Sequence, residues 1–137
     1  MPKIEGSCLC GQVTYSSSAE EPAMMVVCHC PDCQKQSGCG YSTNVLVPTA
    51  SISFSGDSRR QYVVNGASGL PVTRNFCSNC GSPLTTEMPA FDHLAAVKAG
   101  TLTDSSWVKP TTEIWCDSSQ PWSKLTDDMA KAPANPG

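Results

Sequence analysis

No stretch of this 137-residue chain is apolar for long enough to cross a membrane, and its start, MPKIEGSC, lacks the apolar run of a secretory signal. Lys and Arg total nine against twelve Asp and Glu, and they are scattered, so the basic stripe of a nucleic-acid binder is missing. The H-x-E motif that cysteine-ligated zinc deaminases need ahead of P-C-x-x-C is also missing, since His29 is followed by Cys30. Eleven prolines and ten glycines leave few windows for a long amphipathic helix. These absences argue against the membrane, nucleic-acid and deaminase classes, and the missing signal, with reduced cysteines, predicts a cytoplasmic protein. A chain this short has room for one core.

Cysteine, in contrast, is plentiful. Nine cysteines, an odd number without a signal, argue against a secreted disulfide framework and for reduced thiols that mostly hold metal. Seven of them fall into three tight clusters: Cys8-Leu9-Cys10, Cys28-His29-Cys30-Pro31-Asp32-Cys33, and Cys77-Ser78-Asn79-Cys80. Two CxC or CxxC pairs supply the four thiolates of a tetrahedral structural zinc, whereas three thiolates leave one position open for chemistry. The count therefore predicts two zinc ions per chain, one structural and one reactive and more labile.

Gly11 follows the first knuckle and Gly81 the last, where positive φ would wrap amide N–H groups towards the sulfurs. That symmetry favours pairing Cys8 and Cys10 with Cys77 and Cys80. A zinc-ribbon pairing of Cys30 and Cys33 with Cys77 and Cys80 is the rival, and spacing alone leaves both open. Cys39 and Cys116 stand alone and read as ordinary buried cysteines, with Cys39 close enough in sequence to Cys33 to be a fourth ligand or redox partner. His29 sits between two candidate ligands, and neighbours in extended chain point opposite ways, so it is expected to face away. His93 reads as structural.

Short β-branched or aromatic runs predict strands at 12–15, 24–27, 41–47, 51–54, 61–64, 72–76, 93–99 and 112–115. A short helix is expected after Pro31, capped by Asp32 and ending at Gly38. Residues 127–137 read as a frayed tail beyond a domain spanning 1–126. The fold class is thus mainly β, a small antiparallel domain in which zinc ties strand ends together.

The three cysteine motifs, with Gly6-Ser7 before the first, Ser37-Gly38 after the second and Ser82-Pro83-Leu84 after the third, resemble the glutathione-dependent formaldehyde-activating family, a group that includes centromere protein V. Lys98-Ala99-Gly100-Thr101-Leu102, Glu113-Ile114-Trp115 and Pro121-Trp122 are similar to its later motifs, and the likeness spans about residues 4 to 125. The resemblance implies a β-tent (Mss-like) fold with two zinc ions. It assigns Cys8, Cys10, Cys77 and Cys80 to the structural ion and Cys28, Cys30 and Cys33 to the catalytic one. It implies a carbon–sulfur lyase or synthase joining formaldehyde to glutathione as S-hydroxymethylglutathione. The implied partners are a small thiol, glutathione or another, and a small carbonyl. A homodimer is compatible with it. The centromere relative supplies the alternative, a non-catalytic zinc-stabilised binding or scaffold domain. Gln34 stands where relatives often carry Arg, and the loss of a basic group there predicts weaker selection for an anionic thiol.

Zinc with three thiolates is a weaker Lewis acid than zinc with three histidines, and it suits an incoming thiol better than water. The candidates for the surrounding pocket are His29, Asp32, Gln34, Lys35 and Arg74, with Phe91, Trp107, Trp115 and Trp122 as walls.

Overall fold

A computed structural model of the chain describes residues 3–125 and 127–135. It holds eleven strands and one α-helix among those residues. Strands β1 (Glu5–Ser7), β2 (Thr14–Ser17) and β5 (Ile52–Ser55) form a three-stranded sheet in the order β1-β2-β5. The larger sheet contains β3 (Met24–Cys28), β4 (Ser42–Pro48), β6 (Arg59–Asn65), β7 (Pro71–Cys77), β8 (Pro83–Met88), β9 (Leu94–Lys98), β10 (Thr112–Ile114) and β11 (Ala130–Lys131). Its order is β11-β10-β3-β4-β9-β8-β7-β6. Pairing is antiparallel except where β10 runs parallel to β3 and to β11. The helix α1 (Pro31–Ser37) follows β3.

Side-chain alternation along the central strands builds two cores on opposite faces of this sheet. Val45 and Val47 of β4 and Val97 of β9 pack with Tyr15 of β2 and with Ile4 and Val13, each one residue ahead of a strand of the smaller sheet. Leu46, Leu94 and Ala96, one residue out of step, pack with Val26, Cys28 and Cys33. Every residue of β9 is buried, as expected for a central strand covered on both sides. The sheets are joined at their rim by Arg59, whose guanidinium lies 4.5 Å over the Phe54 ring.

Gly56 turns the chain between β5 and β6 at φ 111°, and a Cβ there would lie 1.8 Å from the Gln12 carbonyl oxygen. Gly56→Ala combines that clash with a backbone conformation L-residues avoid, and should cost about 2–4 kcal/mol. Urea unfolding should show a lower midpoint at unchanged m-value; an unchanged midpoint would mean the turn relaxes freely.

The eight strands expected from β-branched runs are present, with ends shifted by a residue or two. Three strands carried too weak a signal. β1 is three residues containing a glycine, β8 opens on proline, and β11 lies in the stretch expected to fray. That stretch is laid along β10 instead: the Trp115 and Cys116 N–H groups donate to the Ala134 and Ala132 carbonyls, each at 3.0 Å. Backbone pairing overrides the poor composition there. Pro136 and Gly137 lie outside the described residues.

Candidate metal centres

Cys8 and Cys10 lie in the turn from β1 to β2, while Cys77 ends β7 and Cys80 sits in the turn before β8. Their four sulfurs lie within 4.8 Å of one another. Cys8 Sγ is 3.6 Å from Cys10 Sγ, and Cys10 Sγ is 3.7 Å from Cys77 Sγ. The edge of a tetrahedron with zinc–sulfur bonds of 2.3 Å is about 3.8 Å, so the set fits zinc as it stands. Gly11 and Gly81 adopt φ 79° and 81° as their positions predict, letting their N–H groups turn back onto the Cys8 and Cys77 carbonyls at 3.2 and 2.7 Å. The Val13 N–H donates to Cys8 Sγ at 3.3 Å. The Ser82 hydroxyl and N–H hold the Cys80 thiol down at about 5, whereas burial pushes Cys77 up to about 11.

The second group is built on one short segment. Cys28 ends β3, Cys30 caps α1, and Cys33 lies inside the helix, their sulfurs again within 4.8 Å of one another. Cys30 Sγ accepts the Cys33 N–H at 3.3 Å. The cap expected at Asp32 is thus two residues earlier, because Pro31 takes the first helical position where its missing N–H costs nothing. Gly38 closes the helix at φ 71° as expected. Hydrogen bonds from the Cys28 and Cys33 thiols lower Cys30, while its bonds to Cys30 and Cys33, together with burial, raise Cys28. The Cys28 bond lowers Cys33, but the bond to Cys30 and burial outweigh it.

The three thiols share their face of the sheet with cationic side chains. Cys28 pairs with Ser42 across β3 and β4, and Asn44 pairs with Lys98 across β4 and β9. Lys98 is only 8% exposed, and its Nζ donates to Ser42 Oγ and Asn44 Oδ1, each at 3.1 Å. Burial pushes the lysine below its ordinary value, while Cys33 and Cys28 pull it back up. Further along the same face Thr86 pairs with Arg74 of β7, whose positive charge acts on Cys30. The Arg74 side chain is 12% exposed, and its Nη2 lies 3.8 Å from an Asp32 carboxylate that is 68% exposed. An open cleft of about 510 Å³ lies beside it, lined by Asp32, Lys35, Tyr62, Arg74, Phe76 and Gly81 among others.

Other expected pocket residues turn elsewhere. His29 is buried with Nε2 2.8 Å from Glu113 Oε1, facing away from the three sulfurs as alternation predicts. Lys131 of β11 pairs with the same carboxylate, and Cys116 Sγ completes this small group. Burial would raise Glu113, but the hydrogen bonds from Lys131 and His29 outweigh it.

The Gln34 amide is taken up by hydrogen bonds that hold the helix. Its Nε2 donates to the His29 and Ser118 carbonyls at 2.7 and 2.9 Å, and its Oε1 accepts from Gln120 at 3.1 Å. It clamps α1 to the turn at 116–118, and the positive charge near the sulfurs comes from Arg74 and Lys98 instead. Cys39 is exposed and outside every cysteine group among the described residues. Trp107 packs into the other core and Trp122 is 69% exposed, leaving Phe91 and Trp115 beside the second group. Lys98 and Thr86 were legible only through strand parity: Lys98 falls in step with the inward-facing Leu94 and Ala96.

The sequence model of the family described as "Glutathione-dependent formaldehyde-activating enzyme" matches residues 3–118, and the chain belongs to that family. It is 29% identical over 114 residues to a Halomonas elongata protein named "Putative glutathione-dependent formaldehyde-activating enzyme", covering 81% of this chain and 72% of that protein. A crystal structure of a Rhodobacter sphaeroides protein superposes with a TM-score of 0.58 at 16% identity, covering 78% of this chain and 92% of that one, which establishes likeness of fold. No helix among the described residues is long and apolar enough to cross a membrane.

Proposed function

We propose that this protein is a zinc-dependent carbon–sulfur lyase or synthase that adds a small thiol to a small carbonyl and cleaves the adduct in reverse. Cys8, Cys10, Cys77 and Cys80 hold a closed structural zinc, and Cys28, Cys30 and Cys33 hold a second with one position free. The observation carrying this reading is the division of sulfurs: four converge where no further ligand is needed, and three converge on the opposite sheet face. Zinc held by Cys28, Cys30 and Cys33 would supply acidity, helping a thiol bound beside them to give up its proton at neutral pH.

The chain's own residues position the reactants. α1 and the end of β3 fix the three sulfurs, the buried Ser42–Asn44–Lys98 network backs them, and the cleft beside Arg74 admits the carbonyl partner. The sulfur lone pair attacks the carbonyl carbon, a C–S bond forms, and the C=O π pair moves onto oxygen. That oxygen takes up the proton the thiol released, so thiol plus carbonyl gives a hemithioacetal with no oxidant or reductant. Holding the two partners together supplies much of the rate.

Zinc-loaded protein at catalytic concentration should speed exchange between free thiol and hemithioacetal. Magnetisation-transfer NMR with labelled formaldehyde and glutathione, cysteine or 2-mercaptoethanol measures this. At least a tenfold acceleration over buffer is expected for one of them; no acceleration for any thiol rejects the enzyme reading.

A further inference from the structure

We propose that Lys98 and Arg74 are positioning residues that set the charge of the three-cysteine centre, so that its open position selects an anionic fourth ligand over a neutral one. This rests on the three-thiolate zinc assignment above. Zinc with three thiolates carries a formal charge of about −1, and an arriving thiolate makes it about −2 inside a sheet face that is largely closed to water. Coulomb repulsion of that size in a poorly screened site would favour a neutral ligand unless fixed positive charge opposed it.

The structure supplies two such charges on the same face. Lys98 is buried, has no carboxylate partner among the ion pairs of the described residues, and is held by two neutral oxygens. A buried lysine so placed keeps its charge only beside a counter-charge. Cys28 sits directly opposite the Ser42 whose hydroxyl accepts from Lys98, which makes the thiolates that counter-charge. Arg74 is the second cation. Its Asp32 partner is mostly in solvent and 3.8 Å away, so little of the guanidinium's field is cancelled.

A third polar group lies on the same face. Thr86 lies on this face on the strand between those bearing Lys98 and Arg74, and it is 5% exposed. Its Oγ1 is buried with no hydrogen-bond partner. Buried hydroxyls are nearly always bonded, so this face still holds a polar group without a partner.

Cobalt(II)-substituted protein tests the inference without turnover, since the visible spectrum reports the fourth ligand. The probes are 2-mercaptoethanol, which binds as an anion, and imidazole, which binds neutral. Lys98→Met should weaken 2-mercaptoethanol binding about tenfold or more and leave imidazole within about twofold. Arg74→Gln should act in the same sense with a smaller effect, and it keeps the test open should Lys98→Met fold poorly.

Equal losses for both probes in both variants would show a packing role and overturn the proposal, as would variants that bind 2-mercaptoethanol like the parent. A parent whose cobalt spectrum ignores both probes has no open position, which removes the enzyme reading along with this one. Selective loss in the variants with no turnover on any carbonyl keeps the charge assignment and rejects only the reaction.

Discussion

Cys77→Ser is expected to lose the closed-site metal and to lower the melting temperature by about 15 °C or more, or to prevent folding altogether. Cys77 is fully buried within the core shared by the two sheets, beside Leu84, Val45 and Val97. The knuckle it anchors is joined to the Cys8–Cys10 turn through the sulfur contacts and the Leu9 N–H to Ser82 hydroxyl bond at 2.9 Å. Apparent zinc affinities of structural sites reach about 10–16 kcal/mol, comparable to the whole stability of a domain this size at about 5–15 kcal/mol. Replacing one of four soft ligands by a hydroxyl forfeits much of that and buries a polar group without a strong partner. Thermal unfolding and metal analysis on the same reduced sample check the outcome; a variant as stable as the parent with its full zinc content would refute the structural assignment.

The parts of the fold that were legible in the sequence are those with strong local signals. β4 announces itself through the alternating Thr43, Val45 and Val47, β9 through a short apolar run, and the two glycine-closed knuckles through spacing. What escaped depends on partners distant in the chain. β11 exists because β10 offers it a free edge, and nothing in Ala130–Lys131 specifies pairing by itself. The role of Gln34 illustrates the same point. Beside a cysteine motif it reads as part of the site, yet only the placement of Ser118 and Gln120 decides that its amide holds the helix down. Arg74 reads from the sequence as one pocket candidate among several, and only the register of β7 places it on the face that Cys28 shares. Ligand type and count are local properties, whereas the charge around the ligands is a property of the sheet.

The opposite balance of effects is expected at the other centre. Cys30→Ser should reduce bound zinc from two ions to one and cut thiol–carbonyl turnover at least a hundredfold, while the melting temperature moves by only a few degrees. The reason is the double role of Cys30, whose sulfur caps α1 by accepting the Cys33 N–H. Serine is among the best N-cap residues, so the helix start survives the change. The metal does not fare so well, since a serine hydroxyl near neutral pH is a poor replacement for a thiolate ligand. With two sulfurs left the ion has no adequate set of ligands, but the cores on either face of the sheet keep their packing. A mild chelator should reproduce the variant in the parent protein, stripping the open centre first and leaving the fold intact. If Cys30→Ser or the chelator removes both ions together with the folded structure, the separation of a closed structural centre from an open reactive one is wrong. If turnover persists with only the closed centre occupied, the chemistry lies elsewhere on the molecule.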